Sequence, residues 1–379
     1  MRSTLGRLGE IRVPGLVEGL HPPAPSLSLA ESVKLLVASL KQHKGSTTLL
    51  TGAGVSVDSG IRAYRGKDGT YTIRKHRPIF YGEFINDEKM RRRYWARSYL
   101  GYPPVRKAES NPTHYAMAAL QKMGYVSSII TQNVDGLHHR AYDDNLSAYL
   151  SPPSIQQPAS TAAATTTPLP TLDPPILELH GTLRHAHCLS CHAPTGRDAF
   201  QDRLSALNPA WHEFQQQVEL GKREEKLNPD GDIELGPGVR YEEFKVPACD
   251  HCGGPMKPRV IFFGESLEPL TRRHSEHLIH HSSQLVCAGT SLATFSAYRL
   301  VRQLKIDQRG TVGLVNVGES RADPIVDWRI GWDGGVGDVF PLAVRELLRE
   351  ETRPQVREQI EKMLTLGKVK RISQGPATA

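Results

Sequence analysis

TTLLTGAGVSVDSGIRAYR, residues 47–65, opens on a short apolar strand and turns on glycine at Gly52. A strand, a glycine turn and a following helix are how nucleotide-binding α/β units begin. Glycine lets the backbone approach a pyrophosphate, and the first turn of the helix offers it unpaired N–H groups. The string Gly52-Ala53-Gly54-Val55-Ser56 is not the usual G-x-G-x-x-G, and no acidic residue closes an obvious second strand. That disfavours a hydride-transferring dehydrogenase.

Working outward, residues 29–43 carry apolar residues at helical spacing, and 113–122 read as another helix. Residues 125–131, 284–288 and 311–316 read as strands, each leading into small or polar residues. Strands alternating with helices predict a Rossmann-like, doubly wound parallel sheet. The chain has 379 residues, 39% hydrophobic, with no apolar run long enough to span a bilayer, so a globular protein with no membrane segment is expected. The net charge of +7 comes from scattered residues; Arg91, Arg92 and Arg93 read as a solvated helix face. Residues 151–175 are rich in Pro, Ser, Thr and Ala without apolar period and predict a disordered insertion; 221–239 reads as a second loop. The stretch MRSTLGRLGEIRVPGLVEGL carries Arg2, Arg7 and Arg12, as a transit peptide would, but Glu10 and Glu18 count against one.

Cys188-x-x-Cys191 and Cys249-x-x-Cys252 are two pairs of the kind that hold zinc. Four thiolates leave the metal no open position, so one structural Zn2+ is expected; His187 could replace a cysteine, but four cysteines are simpler. Both pairs lie between the strand ending at Thr131 and a strand expected to open at Val260. A small zinc module is therefore inserted into the α/β unit. Cys287, inside an apolar run, reads as a core thiol.

Six segments occur in a recognisable order. They are GAGVSVDSGIRAYRG (52–66), TQNVDGLH (131–138), ELHG (178–181), PRVIFFGE (258–265), GTSL (289–292) and NVG (316–318). Together they resemble the signature of the sirtuins, NAD-consuming enzymes that remove acyl groups from protein lysines. Within that family Arg77-Pro78-Ile79, Arg92–Arg97, Leu207–Trp211 and Asn228–Asp232 resemble the mitochondrial sirtuin 4 (class II) group. The resemblance implies these domains: an N-terminal extension over 1–28, a catalytic domain over 29–350 and a C-terminal helix and tail over 351–379. The catalytic domain would comprise a core of about 29–66, 110–140 and 258–345, with the zinc module at about 181–257.

The resemblance also assigns roles. The acyl oxygen attacks C1′ of the nicotinamide ribose, nicotinamide leaves, and a histidine base activates a ribose hydroxyl. That base would be His180, and imidazole titrates where such a role requires. Asn133 and Asp135 would hold ribose and nicotinamide amide, completing the catalytic set. Gly52, Ala53, Gly54, Ser56, Ile61, Tyr64, Arg65, Gln132, Val134, Gly289, Thr290, Ser291, Asn316, Val317 and Gly318 would line the rest of the NAD site. His138 and His139 read as structural. Tyr71 and Arg74 resemble a pair that reads acyl groups ending in a carboxylate, which a guanidinium suits.

Ile61-Arg62-Ala63-Tyr64-Arg65 departs from the family's Ile-Pro-Asp-Phe-Arg, losing a proline that would stiffen the cofactor loop. The partners implied are acyl-lysine proteins, without direct nucleic-acid binding, in the mitochondrial matrix or otherwise the cytoplasm or nucleus. Two competing readings are protein mono-ADP-ribosyl transfer with the same cofactor, and a weakly active NAD-binding scaffold. A zinc-ribbon nucleic-acid binder has no basic cluster around its cysteines to support it.

Overall fold

The computed structural model describes residues 27–63, 78–143, 168–221 and 239–370. Most of the expected insertion, the loop after Gly221, the N-terminal stretch, and Tyr64, Arg65, Tyr71 and Arg74 lie outside the described residues.

Among the described residues the strands in chain order are β1 (Thr47–Thr51), β2 (Val126–Thr131), β3 (Ile176–Glu178), β4 (Gly181–Cys188), β5 (Pro194–Gly196), β6 (Met256–Val260), β7 (Gln284–Ala288), β8 (Thr311–Val315) and β9 (Trp328–Ile330). Among the described residues six of them form one sheet in the order β3-β2-β1-β7-β8-β9. Every pairing in it is parallel. The strand order runs outward one way through β1, β2 and β3, then restarts beside β1 with β7. That reversal leaves a crevice at the carboxyl ends of β1 and β7, where ligands of doubly wound sheets bind. The expected fold class is met.

β1 (TTLLT) and β7 (QLVCA) are buried at every position, as a central parallel strand covered on both faces must be. On one face lie helices Leu29–Gln42, Pro112–Lys122 and Gly335–Leu348, packed through Leu36, Leu40, Met117, Leu120, Phe340 and Val344. On the other lie Pro269–His280 and Phe295–Arg302, packed through Ile279, Leu300 and Cys287. Cys287 is fully buried, the core thiol its apolar neighbours imply.

Local chemistry sets the helix starts. Ser28 caps the first helix in a reciprocal box with Glu31. Asn111 caps Pro112–Lys122: its Oδ1 accepts from the N–H groups of Thr113 (2.9 Å) and His114 (3.2 Å), with Pro112 pre-set for the first helical position.

Strands β5-β4-β6 form a small antiparallel sheet. Behind it Glu88–Lys107, Arg197–Leu207 and Pro209–Glu219 bury Trp95, Tyr99, Phe200, Trp211 and Phe244. Three local expectations are corrected here. The strand thought to open at Val260 ends there and belongs to the small sheet, because its residues pair with β4 rather than with the parallel strands. The segment after Gly52 is one 3-10 turn, Ala53–Ser56, not an α-helix; Gly60 then turns the chain with φ +80°. Arg91 and Arg92 are not merely solvated. Arg91 donates to the carbonyls of Phe84 and Ile85, and Arg92 to that of Glu242, pinning their helix to its neighbours.

Candidate functional site

The carboxyl ends of the parallel strands deliver the site. Gly52 follows β1, Gln132–Asp135 follow β2, His180 follows β3, Gly289–Ser291 follow β7, and Asn316–Gly318 follow β8. Neighbouring strands in a parallel sheet end on the same edge, so residues 264 positions apart in sequence (52 to 316) share one crevice.

The glycines are there for approach. A Cβ on Gly54 would lie 2.7 Å from Cα and O of Gly289, and one on Gly52 would lie 2.7 Å from Cβ of Thr290. The Gly54 N–H donates to the Gly289 carbonyl at 2.9 Å, and Gly289 itself has φ +59°. Only glycine allows these two turns to touch. The resulting glycine floor is the backbone cradle an extended diphosphate requires.

Beside it is a buried polar chain. Nδ2 of Asn133 donates to the Gly52 carbonyl and to Ser56 Oγ, both at 3.1 Å, and Ser56 Oγ donates to Asp135 Oδ2 at 2.8 Å. The other Asp135 oxygen accepts from the Leu137 N–H at 3.0 Å. Asn133 and Asp135 are 8% and 6% exposed, so this chain is rigid yet open at its rim. Arg184, buried on β4, donates to the Asp135 carbonyl at 3.1 Å, and the Leu183 N–H to the Val134 carbonyl at 3.0 Å. The small sheet thereby holds the loop after β2.

Three buried histidines lie close by. His138 bonds Thr51 Oγ1 at 2.9 Å and packs its ring 4.8 Å from that of His114, which itself approaches Ser56. Burial pushes His114 down to about 3 and His139 down to about 4, and carries His138 well below its usual value. All three are neutral supports, in keeping with the structural reading of His138 and His139.

His180 is different. Its Nδ1 lies 3.2 Å from the Gln132 carbonyl and its Nε2 lies 2.8 Å from Ser296 Oγ. Burial lowers its pKa to about 4, with the Gln132 carbonyl opposing, so the imidazole is neutral at physiological pH. Gln132 is fixed in turn, donating from Nε2 to Thr290 Oγ1 at 2.8 Å and to the Thr51 carbonyl at 3.2 Å. Ser291 accepts at its carbonyl from the Arg321 N–H, and Asn316 donates to the Gly318 carbonyl at 2.7 Å. Ala53 and Ile61 are half-buried in the turn; Val317 is exposed at the crevice lip. Ser296, Arg184 and His114 carry no sequence motif that marks them for the site. A serine at a helix start, a strand arginine and an ordinary helical histidine carry no signal until the fold brings them to the loop.

Between β4, β6 and the turn after it is a cleft of about 400 Å³ touching Gly181, Lys257, Arg259 and Glu265. Lys257, almost fully buried, pairs with Glu265 at 3.0 Å and donates to the Val260 carbonyl at 2.7 Å. Glu265 also accepts from the Phe262 N–H at 2.8 Å, so the turn Phe262–Glu265 is tied to its own strand.

The four paired cysteines meet. Their sulfurs lie within 4.8 Å of one another, with Cys188 to Cys252 at 3.5 Å and Cys191 to Cys249 at 3.7 Å. Tetrahedral zinc with bonds of about 2.3 Å places its sulfurs about 3.8 Å apart, so the spacing fits. The N–H groups of Ser190 and His251 point at Cys188 Sγ (3.3 Å) and Cys249 Sγ (3.4 Å), support that a thiolate needs. A Cβ on Gly254 would fall 2.8 Å from Cys188 Sγ. His187 is not in the cluster.

Comparison with known proteins follows the same outline. The Sir2 family model matches residues 52–148 and 172–296. A protein of Batrachochytrium dendrobatidis named NAD-dependent protein deacylase SIR4 is 38% identical over 307 residues, 80% of this chain and 91% of its own. A Bos taurus protein named NAD-dependent protein lipoamidase sirtuin-4, mitochondrial, is 31% identical over 322 residues, 85% of this chain and 88% of its own. A solved chain from work on the mechanism and regulation of Sir2 enzymes superposes with a TM-score of 0.55 at 27% identity, covering 84% of this chain and 99% of that one.

Proposed function

The chain belongs to the Sir2 family, and on that premise we propose that it is an NAD-dependent protein-lysine deacylase in which His180 is the general base. The observation that carries the reading is the meeting of a neutral, oriented His180 with the Asn133–Ser56–Asp135 chain at the carboxyl edge of the sheet.

NAD, when bound, supplies the ribosyl carbon that receives the acyl oxygen and a ribose hydroxyl that must lose a proton. The chain's own residues do the rest. Gly52, Gly54 and Gly289 would let the backbone approach a diphosphate, and Asn316 and Gly318 would line the site beyond them. Asn133 and Asp135, held still by Ser56 and Leu137, would present an amide and a carboxylate to the nicotinamide ribose. Because Nδ1 of His180 faces a carbonyl, its proton stays there, and Nε2 is left with the lone pair that accepts the hydroxyl's proton. Burial keeps that nitrogen unprotonated in the resting enzyme.

Cys188, Cys191, Cys249 and Cys252 would hold one structural zinc, which closes the loops at the end of the small sheet. Within the family we place the chain near the mitochondrial sirtuin 4 group, on the segments at 77–79, 92–97, 207–211 and 228–232. A matrix location goes with that placement and is supported by Arg2, Arg7 and Arg12; a fluorescent fusion lacking residues 1–28 tests it. Tyr71 and Arg74 support a preference for acyl chains ending in a carboxylate, and an unchanged ranking of acyl peptides in Arg74→Ala would remove that preference.

The experiment for the main reading is product analysis with NAD and a panel of acyl-lysine peptides. Nicotinamide plus O-acyl-ADP-ribose, lost in His180→Tyr, is expected. ADP-ribose on a protein instead would favour transfer.

A further inference from the structure

We propose that Ser296 is a positioning residue for the reaction: its hydroxyl donates to Nε2 of His180 and holds that nitrogen as a capped lone pair until a ribose hydroxyl takes its place. The inference rests on reading His180 as the base. It follows from what each partner can do. The Gln132 carbonyl 3.2 Å from Nδ1 only accepts, so Nδ1 carries the ring proton. Nε2 is then an acceptor, and the only proton available between it and Ser296 Oγ, 2.8 Å away, is the serine's own.

The loop after β7 is built for this contact. It begins with Gly289 on the glycine floor, sends Thr290 Oγ1 to the Gln132 side chain, and brings Thr294 Oγ1 within 3.4 Å of Gln132 Oε1. Ser296 stands two residues later, second in helix Phe295–Arg302. One loop therefore contacts the cofactor cradle, the residue that fixes Nδ1 and the atom that must do the chemistry. A ribose seated on this loop arrives beside Ser296, and the serine's donor is the group it must displace. The exchange conserves protons: the ribose hydroxyl gives its proton to Nε2, and Ser296 keeps its own.

The cap has a second consequence. A donor at Nε2 stabilises the neutral ring and opposes its protonation. The charged groups on the elements around His180 are Glu178 beside it in sequence, Asp135 and Arg184 behind the loop after β2, and three pairs. These are Lys257 with Glu265, Arg259 with Glu268, and Arg299 with Glu276 on the helix of Ser296. Burial is the largest influence on the ring, the Gln132 carbonyl opposes it, and no neighbouring charge is among the causes, so loss of the serine donor is not masked by one.

The test uses the full-length, NAD-free protein with 15N-labelled histidine, the His180 signal being the one missing in His180→Tyr. Wild type is expected to show an Nδ1–H ring that stays neutral down to the lowest pH at which the protein remains folded. In Ser296→Ala the midpoint should rise by up to about one pH unit, the worth of one lost neutral hydrogen bond. The Nδ1–H tautomer, fixed by the Gln132 carbonyl, should persist. By the same measure kcat should fall roughly three- to tenfold with KM for NAD within about twofold of wild type, and Ser296→Thr should restore both. If Ser296→Ala does not fold, Ser296→Cys, whose thiol donates weakly, is expected to show the same shift. A folded Ala or Cys variant with an unmoved His180 titration overturns the inference, whether its activity falls or not. An active His180→Tyr would instead remove the reading of His180 as base, whatever the serine variants do.

Discussion

Acid should unfold this protein well above the pH at which carboxylates protonate, and the cause lies under the site. His114, His139 and His180 are buried and neutral, with folded pKa values of about 3, 4 and 4. In the unfolded chain each returns to about 6.5. A base whose folded pKa is depressed lends stability that is fully present above the unfolded pKa. That stability drains as pH falls below 6.5, because only the unfolded chain takes up the proton. Integrated from pH 7 to pH 5, each histidine withdraws on the order of 2 kcal/mol, or about 6 kcal/mol for the three. His138, also depressed, adds in the same direction. A domain's whole stability is roughly 5–15 kcal/mol, so the loss is decisive. Urea unfolding at pH 7, 6 and 5 measures it. His139→Gln should flatten the pH dependence by about one third of the three-histidine value, with little change in cooperativity. Stability that is constant or rises from pH 7 to pH 5 would refute the reasoning.

Gly54→Ala places a Cβ 2.7 Å from the Gly289 backbone. The two turns must part, at about 1–3 kcal/mol, and NAD affinity by calorimetry should drop roughly tenfold or more while the fold persists. Asp135→Asn removes the charged acceptor of the Ser56 and Leu137 bonds. Such bonds contribute about 1.5–3 kcal/mol, so kcat/KM should fall roughly ten- to a hundredfold, more than the melting temperature would suggest. Cys249→Ser breaks the four-sulfur set. The purified variant should carry less than one equivalent of zinc by mass spectrometry and lose the cooperative unfolding of the small sheet.

Most of the parallel sheet is legible because its strands are short, rich in β-branched and apolar residues, and punctuated by glycine or polar turns. Thr47–Thr51, Val126–Thr131 and Gln284–Ala288 all read that way. The cysteine pairs were legible because four thiols at C-x-x-C spacing have few other uses. The apolar run Val260–Phe263 reads as a strand, but the strand lies before it, at Met256–Val260, where the charged and proline-containing MKPRV gives no strand signal and only pairing with β4 defines it. The 3-10 turn after Gly52 looked helical because periodicity cannot separate one turn from several. Arg91 and Arg92 read as a solvated helix face because charge in a sequence says nothing of the carbonyls a guanidinium finds. Ser296, Arg184 and His114 act through contacts between residues 49 to 116 apart in sequence, and no local pattern encodes such meetings.

The central claim is that His180, held neutral by burial and aimed by Gln132, takes a proton from a ribose hydroxyl during acyl transfer from lysine to ADP-ribose. Mass spectrometry of the products formed from NAD and an acyl-lysine peptide, wild type beside His180→Tyr, addresses it most directly. Nicotinamide and O-acyl-ADP-ribose in equal amounts from wild type, and no O-acyl-ADP-ribose from His180→Tyr, is the result the account predicts. Unchanged O-acyl-ADP-ribose from His180→Tyr, or NAD consumption by wild type with no acyl transfer to ADP-ribose, would contradict it.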